Sequence, residues 1–228
     1  MTPYDMKREL KQLYAPKNRD WQLLMIPPQR FIAVDGHGDP NTAEAYAEAV
    51  TALYGVAYVI KFACKREATE RDFVVAPLEG LWYTDDASAF TARAKALWSW
   101  TLLIAQPSWV TDAMIDTAID SPRLQKAGLA GLEQVHVENI DEGLSAQLLH
   151  VGSYDDEAPA LKRLHDEFLP HHDLAPGDPH HEIYLSDPRK TERAKLKTVL
   201  RQPVVRAWPD ADPNTSAAEP GARAGASG

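Results

Sequence analysis

The chain has a single cysteine, Cys64, among its 228 residues. One thiol excludes an internal disulfide and the small stapled folds that depend on several. It agrees with a reducing compartment, so a cytoplasmic location is expected. Flanked by Lys61, Lys65 and Arg66, it reads as a small residue near a helix end. Positive charge is also short: 24 Lys and Arg stand against 33 Asp and Glu, a formal net charge of −9 with histidine neutral. Such a surface repels phosphate backbones and anionic lipid, so neither nucleic acid nor a membrane is an expected partner. The segment before Asp20 lacks an apolar run of signal length. It is also too short for a helix-turn-helix and a linker, which argues against a DNA-bound regulator. No stretch reaches the ~20 apolar residues of a membrane span. The segment from Pro209 onward holds no large apolar side chain, so 208–228 is expected to be a disordered tail.

What is present is a unit that occurs twice. Phe31 to Gly38 is an apolar run closed by a Gly/Asp/Pro/Asn turn, and Asn41 with Glu44 has the spacing of a capping box. Tyr46, Val50, Leu53, Tyr54 and Ala57 follow at helical spacing. Ser145 to Gly152 repeats the strand, Asp155 and Asp156 the acidic cap, and Ala160, Leu164 and Phe168 the helix. Asp72 to Tyr83 and Ala96 to Gln106 read as a hairpin, matched by His180 to Ser186 and Thr191 to Gln202. Both second strands end in Gln-Pro. A β-α-β-β unit cannot bury both its faces alone, so two units are expected side by side in one antiparallel sheet. The predicted class is α+β: duplicated β-α-β-β units, with both helices on one face and a concave central groove on the other, along a pseudo-twofold seam. Residues 1–19 form a helical extension. The domain proper runs over 20–207, with repeats at about 20–107 and 132–207 and a connector helix within 108–131.

In an alternating strand His180, Glu182, Tyr184 and Ser186 share one face, and His181, Ile183 and Leu185 the other. The apolar set is expected to meet the helices, which leaves Glu182 and Tyr184 in the groove. A carboxylate there costs free energy unless it is paired or working. Glu182 is therefore the candidate base or ligand acceptor, with burial raising its pKa. Glu79 occupies the matching place in the first repeat and is the second groove carboxylate. Flat rings suit a flat or cationic ligand. Trp98 and Trp100 are expected to line the groove, with Tyr83 beside Glu79. Trp82 faces the helices on parity. His171, His172, His180 and His181 lack the spacing of a metal site, and no metal is expected.

Four segments carry a resemblance: Tyr4 to Tyr14, Val34 to Asn41, Leu78 to Trp82 and, most specifically, His180 to Arg189. Over about Tyr4 to Val205 the chain resembles the gyrase-inhibitor-like small-molecule-binding proteins. The resemblance implies the duplicated fold and a groove for drug-like molecules. In related transcription activators a glutamate at the groove base meets cationic drugs, and Glu182 matches it. A stand-alone subfamily, which the chain resembles most, hydrolyses the strained cyclopropane of DNA-alkylating antibiotics of the yatakemycin and CC-1065 type within an aromatic cage. The implied partner is a xenobiotic or antibiotic. Residues and resemblance together give the expected site: Glu182 and Tyr184 for catalysis, with Glu79, Trp82, Tyr83, Trp98, Trp100 and His180 for the ligand and no cofactor. Sequestration of such a molecule without chemistry is the alternative.

Overall fold

The computed structural model describes residues 2–67, 71–84 and 94–207, so the expected tail at 208–228 lies outside the described residues. The strands are β1 (Gln22–Ile26), β2 (Gln29–His37), β3 (Leu78–Tyr83), β4 (Ser99–Ala105), β5 (His136–Ile140), β6 (Gly143–Val151), β7 (Leu174–Pro176), β8 (His180–Tyr184) and β9 (Lys197–Arg206). All pairings among them are antiparallel, and the sheet order is β1-β6-β9-β8-β3-β4-β2-β5, with β7 pairing the far end of β9. One repeat contributes β2-β4-β3 and the other β6-β9-β8. They meet at β3 and β8. Each flanking strand crosses over: β1, which precedes the first repeat, pairs with β6 of the second, while β5 pairs with β2 of the first.

The helix after β2, α3 (Glu44–Glu67), buries Ala49, Ala52, Leu53, Val56, Ala57, Ile60 and Cys64. Small residues at the start of this stripe let the helix approach the sheet closely. α3 is 24 residues long and holds an 18-residue window of mean hydropathy 1.3, so by length and composition it could cross a membrane. That is more than the sequence reading allows, yet its apolar stripe is spent on the sheet. Asn41 does not cap it. Asp39 organises the turn, accepting from both the backbone and side-chain nitrogens of Asn41, and the helix begins three residues later. The second repeat's helix, α6 (Ala158–Arg163), continues through a wider turn at Leu164–Phe168. Its Ala160 and Leu164 pack with Ala146, Leu148 and Leu200 of the sheet. Both helices therefore cover the same face.

The opposite face carries two short N-terminal helices, α1 (Met6–Glu9) and α2 (Lys11–Tyr14), with Leu13 and Tyr14 buried. The connector forms α4 (Asp112–Ile119), capped by the Thr111 hydroxyl accepting from the Met114 N–H, and α5 (Pro122–Ala127). Strand limits differ from those the sequence suggests. Trp98 precedes β4, and Gln202-Pro203 lies inside β9 rather than ending it.

Candidate functional site

The seam is decided by register. Across β3 and β8, Gly80 sits opposite Glu182 and Trp82 opposite His180. Across β3 and β4, Trp82 sits opposite Trp100. Directly paired residues share a face, so Gly80, Trp82, Trp100, His180, Glu182 and Tyr184 form one cluster. The face is the one that carries the helices. Tyr46 of α3 lies edge-on to Trp100 at 5.2 Å and parallel to Trp82 at 6.3 Å. The apolar set of β8 therefore turns away from α3 and α6, and the working set lies in the cleft between them. The cause is the N-terminal extension, which covers the far face and supplies the second core layer that the sequence reading assigns to the helices.

Glu182 is held with its side chain 15 % exposed. The Tyr184 hydroxyl donates to its Oε2 at 2.7 Å, and the Trp82 indole N–H donates to that hydroxyl at 3.0 Å. Gly80 makes this chain of bonds possible, since a Cβ there would stand 3.1 Å from Trp82 Nε1 and 3.3 Å from the Tyr184 hydroxyl. Burial pushes the Glu182 pKa up, opposed by the Tyr184 hydrogen bond and the charges of His181 and Lys95. The result is a carboxylate that holds a proton more readily than an exposed one. Tyr154, edge-on to Tyr184 at 5.6 Å, closes the cleft from the second repeat. Burial and the nearby Glu182 raise its phenol to about 12, and they raise Tyr46 as well, so both rings stay protonated donors. Trp98 meets Trp82 edge-on at 5.7 Å, with the Lys95 ammonium 5.8 Å from its ring centre.

Not every predicted residue lies in this cluster. Glu79 is one residue out of step with Gly80, and one step along a strand reverses the face. It is fully buried on the far side, where it accepts from the Tyr14 hydroxyl at 3.0 Å and pairs with His181 Nε2 at 3.0 Å. His181 Nδ1 in turn meets Glu142 at 2.9 Å, and Glu142 binds Arg201 at 2.8 Å. Glu79 thus belongs to a buried clamp behind the cleft. Burial alone would lower the His181 pKa, but the two carboxylates outweigh it and push it up to about 9. Burial alone would raise Glu142, but His181 and Arg201 pull it down to about 2. Tyr83 also faces away, partly exposed beside Thr101 at 3.4 Å. Trp100 is on the cleft face but has no exposed surface. It lies flat on the backbone of β2, where a Cβ on Gly36 would fall 2.0 Å from its ring, so it is the cleft's buried backing and not its lining.

Comparison with known proteins bears directly on this arrangement. A family model described as a GyrI-like small molecule binding domain matches residues 20–205. The chain belongs to the GyrI-like family. Among solved structures, a conserved protein from Listeria innocua is 36 % identical with a TM-score of 0.79; 89 % of this chain and all of that one align. Two further Listeria innocua structures are described as hydrolases. They are 36 % and 34 % identical, with TM-scores of 0.76 and 0.77, over 89 % and 90 % of this chain and the whole of theirs. The C-terminal domain of EcmrR, at 10 % identity, a TM-score of 0.52, 82 % of this chain and 98 % of its own, shares the fold. Comparison with curated proteins finds no match.

Within this GyrI-like domain, sequence reasoning missed Tyr46, Tyr154 and Lys95 as neighbours of Glu182. Tyr46 is visible as the first residue of the α3 stripe. What no pattern reveals is that this stripe ends over the seam. Among the described residues, no group of three or more His, Cys, Asp or Glu is placed to hold a metal ion. His180 and His181 point to opposite faces, as alternation requires.

Proposed function

We propose that this GyrI-like domain is a hydrolase that admits flat, mostly apolar xenobiotics between α3 and α6. In this reading it opens the cyclopropane of DNA-alkylating cyclopropanoid antibiotics by adding water. The observation that carries the reading is Glu182. It is a nearly buried carboxylate with a raised pKa, fixed by Tyr184 and Trp82 among aromatic rings at the join of two repeats. The hydrolase description of the two Listeria structures supports it.

The chemistry asks little of the protein. In such a compound the cyclopropane is conjugated to a dienone. A water oxygen attacks the ring CH2, one C–C bond breaks, and its electron pair moves into the ring to give a phenolate. Glu182 accepts the proton that water loses. A protonated hydroxyl of Tyr46 or Tyr154 is suited to donate to the developing phenolate oxygen. The rings hold the planar substrate and keep bulk water from the reacting carbon. Release of strain drives the step, and the residues present account for it without a metal or cofactor.

Mass-spectrometric turnover of a duocarmycin-like cyclopropane compound tests this. Wild-type protein is expected to give the water adduct, and Glu182→Gln to slow it by about 10²-fold or more, the usual worth of a general base. Equal rates for the two proteins would remove Glu182 from the mechanism. Tight binding without product would establish sequestration in place of hydrolysis.

A further inference from the structure

His180 stands beside Glu182 in the cleft, and its hydrogen bonding fixes which of its nitrogens carries a proton. Gln202 lies against it, with Oε1 3.2 Å from His180 Nδ1. The orientation of that amide is settled by its other end. Gln202 Nε2 faces the carbonyl oxygens of Gly177 at 2.5 Å and Pro203 at 3.4 Å. Carbonyls only accept, so the NH2 must point to them and the oxygen to His180. An oxygen acceptor requires a donor, so Nδ1 carries the proton. Burial holds the His180 pKa down at about 4, so the ring is neutral near pH 7 and Nε2 is bare.

Nε2 is itself buried, has no hydrogen-bond partner, and lies 3.9 Å from Glu182 Oε1. A bare acceptor without a donor is costly inside a protein. Two acceptors about 4 Å apart match what one doubly donating group, such as water or an amino group, can span with ordinary hydrogen bonds. Nε2 itself is covered, but both side chains keep 15 % of their surface exposed, so the way in for a donor runs alongside Glu182.

We propose that His180, locked by Gln202 as the neutral Nδ1–H tautomer, forms an acceptor pair with Glu182 that holds the attacking water. This rests on the hydrolytic reading above. One water hydrogen points to Glu182 and the other to His180 Nε2, which leaves an oxygen lone pair for the ring CH2. As the C–O bond forms and the cyclopropane C–C bond breaks, the first hydrogen passes to Glu182 as a proton. The second stays on the product hydroxyl, still donating to His180. The electron pair of the broken bond ends on the phenolate. His180 gains no charge, and its neutrality is what lets it serve as an acceptor.

Two measurements test the pair. In protein labelled with 15N-histidine, His180, assigned by its loss in His180→Gln, is expected at pH 7 with a protonated Nδ1 and an unprotonated Nε2. In Gln202→Leu that tautomer preference is expected to disappear. In turnover of the cyclopropane compound, His180→Phe is expected to lower kcat at least tenfold while KM for that compound, which touches the water and not His180, changes less than threefold. A His180 that carries its proton on Nε2, or is cationic at pH 7, overturns the acceptor pair whatever the turnover. An unchanged kcat in His180→Phe does the same. Wild-type protein that makes no product overturns the hydrolytic reading, and the spectrum then reports separately on the tautomer.

Discussion

The clamp behind the cleft makes stability depend on pH in a direction that can be worked out. His181 is raised from 6.5 to about 9 in the folded protein by its two carboxylate neighbours, which outweigh burial. A histidine raised in this way contributes stability that is complete below the unfolded pKa and is lost as pH climbs toward the folded one. The shift of some two to three units corresponds to about 3 kcal/mol. About 2 kcal/mol of it is lost between pH 6.5 and 8.5, where the unfolded histidine gives up its proton and the folded one keeps it. His180 leaves this window clean. Its pKa is lowered by burial to about 4, so its effect falls at acid pH, where the unfolded chain takes up a proton that the folded chain refuses. Staying at or below pH 8.5 also limits interference from Cys64, whose thiol is raised by burial. The assay is urea unfolding followed by tryptophan fluorescence at several pH values, for wild type and His181→Gln. The wild type is expected to lose about 2 kcal/mol more than the variant across the window. Equal pH slopes in the two proteins would refute the idea that His181 is a buried cation.

Three further outcomes are expected. Gly36→Ala sets a methyl against the Trp100 ring and should cost about 2 kcal/mol or more in urea unfolding, as overpacking does; in a Trp100→Leu background the added cost should fall. Tyr184→Phe removes the hydrogen bond that opposes the rise in the Glu182 pKa, so the acid limb of the turnover profile should move to higher pH. Tyr83→Ala changes a partly exposed ring on the far face, and a calorimetric titration with a planar ligand should give the wild-type Kd within about twofold, as for surface positions away from a contact.

Much of the fold is legible in the sequence because it is periodic. The strand–helix–hairpin order recurs, and alternation alone separates His180, Glu182 and Tyr184 from His181 and Ile183. Thr111 announces its helix by local chemistry. Alternation tells which residues share a face but not what covers that face. That depends on α1 and α2 packing on the far side, a contact between residues distant in sequence. Tyr14 and Glu79, 65 positions apart, meet only in the folded chain. Symmetry puts Glu79 in the groove, but symmetry between repeats tolerates a slip of one residue that parity does not. The burial of Trp100 is hidden from the sequence because it depends on Gly36, a strand glycine that in sequence looks like part of a turn.

The exchange of outer strands ties the two halves together. β1 belongs by sequence to the first repeat and completes the second, and β5 does the reverse. A chain severed in the connector would leave each fragment holding its partner's border and missing its own. Neither piece could close its sheet alone, so the halves should form and fail as one cooperative body. A cleft at their join then keeps its shape for as long as the molecule stays folded.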